Sequence, residues 1–272
     1  MTRLPFWKMS GAGNDFIVVN DAACDGLDRS WLARQLCTRA LSVGADGLIL
    51  MSEVDQAHVR IRFYNPDGSP AEMCGNGSRC AARYAVDRGL VGQGLFQLLT
   101  DSGDLDVIAG DGSFQVVMPR PENVQFELME IEEQGERYAV HGVQIGVPHA
   151  VVLLPDVERF SDEELTRIGR TLLHDAHFPH GTNTNFVSLV PGKPLRQRTY
   201  ERGVEALTKA CGTGATATAF VMTTRFGLSW PVELQVDGGR LAVDKRDDQL
   251  WLSGDARLIA TGEIEPDAYT WK

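Results

Sequence analysis

A chain of 272 residues is long enough for one large domain or two compact ones. With 43% hydrophobic and 23% charged residues it can bury a core, and its net charge of −11 argues against a nucleic-acid partner, because such partners bind basic surfaces. No apolar run approaches the roughly 20 residues of a membrane helix, and residues 1–8 lack the apolar segment of a signal peptide. We therefore expect an acidic, soluble, cytoplasmic protein with no membrane partner.

The first half of the chain is predicted to form an α+β unit. Apolar residues predict a strand over Phe16–Asn20, and a helix follows over Ser30–Arg39. A stretch rich in small residues predicts a second helix over Ser78–Asp87. Turn residues between two alternating apolar runs then predict a hairpin with strands over Leu95–Thr100 and Leu105–Ile108.

The second half repeats this order of elements. It predicts a strand over Ala150–Leu154, helices over Ser161–Leu173 and Ala215–Arg225, and a hairpin with strands over Val232–Val236 and Leu241–Val243. The two halves join near Met118–Glu122, where two prolines interrupt any regular element.

The clearest sign of an internal repeat is a Cys-Gly-x-Gly turn in each half of the chain, at Cys74–Gly77 and at Cys211–Gly214. An Arg-x-Arg-x-Tyr segment precedes each of them, at Arg60–Tyr64 and Arg196–Tyr200. We therefore predict two pseudo-symmetric α+β domains. The first spans residues 1–118 and carries Cys74, the second spans residues 119–263 and carries Cys211, and the tail 264–272 is expected to return to the first.

The chemistry of the two turns follows from their place at the start of predicted helices. A helix N-terminus offers unpaired N–H groups and partial positive charge, which lower the pKa of a thiol and attract anions. In a pseudo-twofold molecule the turns can face each other across a cleft, so that one thiolate removes a proton and the opposite thiol returns one. Two buried structural cysteines, or a redox disulfide between them, are the alternatives.

The sequence lacks other motifs that would indicate a disulfide framework, a metal site, a cofactor site or a different catalytic site. The five cysteines are an odd number without CxxC spacing, so neither a disulfide framework nor a structural metal is expected. No P-loop, dinucleotide fingerprint or G-x-S-x-G motif is present. His174, His177 and His180 recur every three residues, but their loop-like context with Pro179 favours exposed histidines over metal ligands. We expect no cofactor and no metal.

Ordered blocks along nearly the whole chain resemble the diaminopimelate epimerase family. They are Lys8–Phe16, Gly44–Leu48, Phe63–Ser69, Glu72–Cys80, Gly146–His149, Thr182–Phe186, Tyr200–Val204 and Ala210–Gly214. The resemblance implies a cofactor-independent, PLP-independent isomerase that interconverts LL- and meso-2,6-diaminopimelate in lysine and peptidoglycan-precursor synthesis. It also implies two domains, each a mostly antiparallel sheet wrapped around a central helix, with the active site in the cleft between them, and it allows a homodimer.

The resemblance also implies roles for individual residues. Cys74 and Cys211 would be the two acid–base residues, and His149 and Glu201 would tune the two thiols. The backbone N–H groups of the residues after each cysteine would bind the reacting α-carboxylate, and Arg202 would grip the distal carboxylate in a two-point contact. The implied substrate-binding set is Asn14, Asn65, Gly75, Asn76, Asn183, Glu201, Arg202, Gly212 and Thr213. For a single asparagine the alternative is a turn cap, and for His149 a buried structural histidine.

Two departures from the family pattern keep other functions open. Val147 stands where many relatives carry asparagine, and Leu207-Thr208 stands where relatives usually carry Glu-Thr. A racemase of another amino acid, of the histidine or proline type, would keep the fold and the thiols. A non-catalytic amino-acid-binding protein with a decayed site is a third possibility, against which the presence of both cysteines argues.

Overall fold

The computed structural model describes residues 3–71, 74–110 and 112–270. These residues form four α-helices and eighteen β-strands. The helices are α1 (Arg29–Cys37), α2 (Gly75–Asp87), α3 (Asp162–Leu173) and α4 (Gly212–Phe226). None of the described helices is long and apolar enough to cross a membrane.

The strands of the first half are β1 (Leu4–Gly11), β2 (Asn14–Asn20), β3 (Gly47–Asp55), β4 (His58–Tyr64), β5 (Pro70–Ala71), β6 (Gly94–Thr100), β7 (Gly103–Gly110) and β8 (Ser113–Met118). Those of the second half are β9 (Pro121–Glu133), β10 (Glu136–Ile145), β11 (Val147–Leu153), β12 (Asn183–Ser188), β13 (Leu195–Glu201), β14 (Ala206–Thr208), β15 (Val232–Val236), β16 (Gly239–Arg246), β17 (Gln249–Gly254) and β18 (Arg257–Ile264).

The chain divides into two compact units, residues 1–116 with 254–272, and residues 117–253. The sequence-based boundary placed the return to the first unit at residue 264. In the structure the return begins at Gly254, because β18 is hydrogen-bonded along β1 from Leu4 opposite Ile264 to Ser10 opposite Arg257. The last strand therefore completes the sheet of the first unit.

In the first unit the sheet surrounds α2. Strand β1 pairs antiparallel with β18 and β2, β2 pairs parallel with β3, and β4 pairs antiparallel with β3 and parallel with β6. Helix α2 packs against β1, β2, β3 and β7. A second apolar cluster lies against α1, where Leu32 and Leu36 pack with Ile17, Leu48 and Tyr269.

The second unit repeats this arrangement around α4. Strand β10 pairs antiparallel with β9 and β11, β11 pairs parallel with β12, and β13 pairs antiparallel with β12 and parallel with β15. Helix α4 packs against β10, β11, β12 and β16, and α3 covers a separate cluster that includes Leu165, Phe186 and Tyr200. The predicted α+β fold of two repeats, each a sheet around a helix, is confirmed.

A close contact between α3 and β13 gives a test of the second core. Gly169 lies inside α3, and a Cβ atom there would lie 2.7 Å from Cβ of the fully buried Tyr200. We expect Gly169→Ala to lower the free energy of unfolding by about 1–3 kcal/mol, because such overpacking outweighs the helix propensity of alanine. Urea denaturation followed by circular dichroism measures this change.

The matched control is Gly92→Ala, because a Cβ atom at Gly92 would meet nothing within 4 Å. An equal effect of both substitutions, or a more stable Gly169→Ala variant, would contradict the packing argument.

Candidate active site

Both cysteine turns cap the helices at the centre of the two units. Cys74 is the N-cap of α2 with φ −118° and ψ 112°, and Cys211 is the N-cap of α4 with φ −122° and ψ 114°. The helices were predicted to begin at Ser78 and Ala215, but each begins three residues earlier because its glycines form part of the first turn. Glu72 and Met73 of the resembling block lie outside the described residues.

Both cysteines lie at the N-terminal, positive end of a helix. The first N–H groups of a helix have no acceptor within the helix, so those of Gly75 and Gly212 belong to the positive end of each helix dipole. The Cys211 sulfur accepts a hydrogen bond from the Gly214 N–H at 3.3 Å and lies 3.4 Å from the Thr213 hydroxyl. Such surroundings favour a thiolate and an adjacent carboxylate.

Next to Cys74, two candidate substrate-binding asparagines are joined by a hydrogen bond. The Asn76 amide nitrogen donates to the Asn14 amide oxygen at 2.6 Å, and the Asn14 amide nitrogen donates to the Asp46 carboxylate at 3.3 Å. The buried Arg79 donates to the Asn76 amide oxygen at 2.9 Å. An arginine at one end and a carboxylate at the other therefore fix the orientation of both amides.

A salt-bridge network holds Asp46 in place. Arg39 contacts Asp46 at 2.8 Å and Asp15 at 2.6 Å, and Lys8 contacts Asp15 at 2.6 Å. Burial opposes ionisation of Asp15, but the hydrogen bonds from Arg39 and Lys8 outweigh it and lower its pKa to about 2. Asp46, which orients Asn14, therefore shares the cation of Arg39 with Asp15.

In the second unit, His149 on β11 is completely buried. Burial, with a smaller contribution from the charge on Arg202, lowers its pKa to about 3, so the ring is neutral at pH 7. The Asn185 amide nitrogen lies 3.2 Å from Nδ1 of His149 and 3.1 Å from the Ala150 carbonyl oxygen. Since Nδ1 then accepts, the proton of the ring lies on Nε2, which has no hydrogen-bond partner among the described residues.

Asn185 contacts a candidate site residue, His149, and the sequence did not single it out. Gln197 and Thr199 donate to its amide oxygen at 3.3 and 3.1 Å, which fixes the amide nitrogen toward His149. A Cβ atom at Gly214 would overlap the same amide oxygen, so the first turn of α4 lies directly on this side chain. Asn185 therefore connects the imidazole of His149 to the turn that carries Cys211.

Asn183 and Arg202 are also adjacent. The Asn183 amide oxygen accepts the backbone N–H of Arg202 at 2.8 Å, and the Arg202 guanidinium donates to the His180 carbonyl oxygen at 2.8 Å. In the parallel pairing of β11 with β12, Asn183 lies beside His149. The strand pairing and the side-chain contact together bring His149, Asn183 and Arg202 to one place.

Glu201 ends β13 and accepts a hydrogen bond from the Thr208 hydroxyl. Burial raises the pKa of this carboxyl group, and the hydrogen bond from Thr208 opposes that shift only in part. The preceding Leu207 packs against the apolar cluster of the second unit. In the Leu207-Thr208 pair, Thr208 is therefore a hydrogen-bond partner of the candidate site residue Glu201, and Leu207 packs against the core.

Asn65 lies in a turn after β4. It is exposed, and its amide nitrogen donates to the Ser69 hydroxyl at 2.9 Å in the turn Asn65–Ser69. This is the turn-capping geometry that was the alternative for a single asparagine. His174, His177 and His180 are likewise exposed, and among the described residues no cluster of three or more His, Cys, Asp or Glu side chains could hold a metal ion.

The raised pKa of Glu201 predicts a change in stability with pH. The folded protein keeps a proton on Glu201 above pH 4.5, where the unfolded chain has released it, so the free energy of unfolding falls as the pH rises from 4.5 through the folded pKa. Glu201→Gln removes this contribution. We expect the stability of the variant relative to the wild type to increase over that interval, as measured by urea denaturation at several pH values.

The control variant for this measurement is Glu233→Gln, which changes an exposed carboxylate on β15. A constant difference between wild type and Glu201→Gln from pH 4.5 to pH 8 would contradict the assigned shift.

Comparison with known proteins identifies the family to which this chain belongs. The model of the family described as diaminopimelate epimerase matches residues 6–123 and 142–259. The chain is 36% identical to the diaminopimelate epimerase of Caldanaerobacter subterraneus, covering 96% of this chain and 99% of that protein, and 36% identical to that of Aquifex aeolicus, covering 97% and 99%.

Solved structures share the fold at lower identity. A PhzF-family phenazine biosynthesis protein of Bacillus anthracis superposes with a TM-score of 0.73 at 16% identity, covering 97% of this chain and all of that one. A probable proline racemase of Agrobacterium radiobacter gives a TM-score of 0.68 at 14% identity, covering 99% and 96%. With two matched segments, full-length relatives above 30% identity and the same cysteine turn in both repeats, the chain belongs to the diaminopimelate epimerase family.

Proposed function

We propose that the protein is an isomerase that interconverts LL- and meso-2,6-diaminopimelate, with Cys74 and Cys211 as its acid–base pair. The observation that carries the proposal is the repeated placement of a cysteine as the N-cap of a central helix, with φ and ψ equal within 4°. Two helix starts of this kind supply two thiols of adjustable pKa and two sets of N–H groups for a carboxylate.

The reaction needs one thiolate and one thiol on opposite faces of the α-carbon. The thiolate takes the α-proton, and the electron pair of the broken C–H bond spreads into the α-carboxylate, whose growing charge the helix N–H groups stabilise. The thiol then gives its proton to the other face of the carbon and becomes the thiolate. Each turnover therefore exchanges the protonation states of Cys74 and Cys211, and the reverse reaction uses them in opposite roles.

The surrounding side chains bind and orient the substrate in this proposal. Asn14 and Asn76 have fixed amides, and the N–H at Nε2 of His149 is a neutral donor that adds no charge beside a thiolate. Arg202 and Asn183 would hold the distal amino-acid group, Arg202 through a charge-assisted contact to its carboxylate. A substrate with two carboxylate-bearing ends uses this cation, whereas a monocarboxylic amino acid supplies no second carboxylate to bind it.

The biological setting forms the remaining part of the proposal. The reaction would supply meso-diaminopimelate for lysine and peptidoglycan-precursor synthesis. We place it in the cytoplasm and allow a homodimer, as the sequence suggested.

The two-thiol mechanism predicts the behaviour of single cysteine variants. We expect Cys74→Ala and Cys211→Ala each to lower the rate of epimerisation by at least about 100-fold, because each direction requires both a base and an acid. The measurement is the conversion of LL- to meso-diaminopimelate by chiral chromatography. Circular dichroism verifies that each variant is folded.

Cys80→Ala is the matched control, since Cys80 is a third thiol on the same helix as Cys74. A rate of epimerisation within threefold of wild type in either Cys74→Ala or Cys211→Ala would contradict the two-thiol mechanism. Loss of activity in Cys80→Ala without unfolding would also count against it.

Substrate specificity rests on Arg202. We expect Arg202→Lys to lower kcat/KM for diaminopimelate by at least about tenfold, because lysine cannot reproduce the planar two-point contact with a carboxylate. Steady-state kinetics measure the change. The control is Arg198→Lys, on the preceding strand β13, whose guanidinium contacts Asp162 and Asp237.

If Arg202→Lys left kcat/KM for diaminopimelate unchanged, the proposed role of Arg202 in binding the distal carboxylate would be wrong. A wild-type preference for a monocarboxylic amino acid would overturn the substrate assignment and favour a racemase.

A further inference from the structure

The two units support the first turn of their central helices with different chemistry. Gly77 of α2 and Gly214 of α4 each lie three residues after the cysteine of their repeat. A Cβ atom at Gly77 would lie 2.7 Å from the Phe63 ring and 3.3 Å from the Phe16 ring. One at Gly214 would overlap the Asn185 amide oxygen. The same turn therefore lies on aromatic rings in the first unit and on a buried amide in the second.

Four buried positions beneath these turns change from apolar to polar between the repeats. The tyrosine that ends each Arg-x-Arg-x-Tyr segment sets the correspondence, because Tyr64 pairs with Leu48 and Tyr200 pairs with Thr184. In the register that follows, the first unit carries Phe16, Ile49, Ile61 and Phe63 where the second carries His149, Asn185, Gln197 and Thr199. All of these side chains are buried. Since the first unit supports its helix with apolar groups, packing alone does not require the polar set of the second.

The polar set forms a chain of hydrogen bonds that leads to His149. Gln197 donates to the Thr199 hydroxyl at 3.0 Å, and that hydroxyl donates to the Asn185 amide oxygen at 3.1 Å. The Asn185 amide nitrogen lies 3.1 Å from the Ala150 carbonyl oxygen and 3.2 Å from Nδ1 of His149. Burying amides and a hydroxyl is costly unless they are hydrogen-bonded, and these mutual bonds offset that cost.

The Ala150 carbonyl determines the orientation of the Asn185 amide. A carbonyl oxygen only accepts hydrogen bonds, so the amide atom 3.1 Å from it is the nitrogen. The hydrogen bond from Thr199 to the amide oxygen agrees with this orientation. The same nitrogen faces Nδ1 of His149, which therefore accepts, and the proton of the neutral ring is on Nε2.

We propose that Asn185 is a positioning residue that holds His149 as a neutral imidazole with its proton on Nε2. This inference rests on the proposed function, in which that N–H serves the substrate site as a donor without charge. An asparagine orients the ring without adding charge to it. A carboxylate at the same place would accept a proton from Nδ1 and favour the charged ring.

The test measures the protonation of both ring nitrogens of His149 at pH 7 without substrate. Long-range proton–nitrogen correlation spectra of isotope-labelled protein distinguish the two neutral tautomers from each other and from the charged ring. Comparison with His149→Gln identifies the signals of His149. We expect the wild-type ring to carry its proton on Nε2 alone. In Asn185→Asp we expect Nδ1 to be protonated and kcat/KM for diaminopimelate to fall at least about tenfold.

The matched control is Asn20→Asp. Asn20 is an exposed N-cap whose side chain accepts the Ala22 N–H, a role that a carboxylate fills equally well. This variant should leave the tautomer of His149 and kcat/KM unchanged. A second variant, Asn185→Leu, introduces the kind of apolar side chain that Ile49 supplies in the first unit. It should remain folded by circular dichroism and also lower kcat/KM at least about tenfold.

A proton on Nδ1 in the wild type, or an unprotonated Nδ1 in Asn185→Asp, would overturn the proposal. So would a smaller fall in kcat/KM in either folded variant. If Asn185→Asp does not fold, the wild-type tautomer and Asn185→Leu decide the question. Because the spectra require no substrate, a wild type with the expected ring that does not turn over diaminopimelate would refute the proposed function and leave the hold of Asn185 on His149 intact.

Discussion

The close burial of a glycine-rich helix start against a sheet is the constraint on which the rest of the structure depends. At Gly77 of α2 a Cβ atom would lie 2.7 Å from the Phe63 ring, and at Gly214 of α4 it would overlap the Asn185 amide. Only glycine allows both helices to begin so deep in their units. The N–H groups and the N-cap cysteines are therefore held by the core of each unit, which is the rigid support that an acid–base site needs.

This constraint explains why polar groups are buried so close to the helix starts. A helix N-terminus inside a core leaves N–H donors that need acceptors, and its neighbours must be polar as well. In the first unit Arg79 and Asp46 fix the amides of Asn76 and Asn14, and in the second unit Asn185 fixes the ring of His149. Within each network the donor and acceptor of every hydrogen bond are fixed. The amide and imidazole atoms that lie at its end are therefore defined as donors or acceptors.

The sequence predicted the fold and the cysteine turns because both are local and repeated. Periodicity and glycine placement predicted strands and helices to within a few residues, and two similar turns in register predicted a cysteine at the start of a helix in each half. The residues it missed, such as Asn185 and Asp46, act through contacts between segments distant in sequence, and no local pattern distinguishes them from turn residues. Asn65 matches the family pattern and its amide nitrogen is bonded within its own turn, so its role in binding substrate stays a prediction.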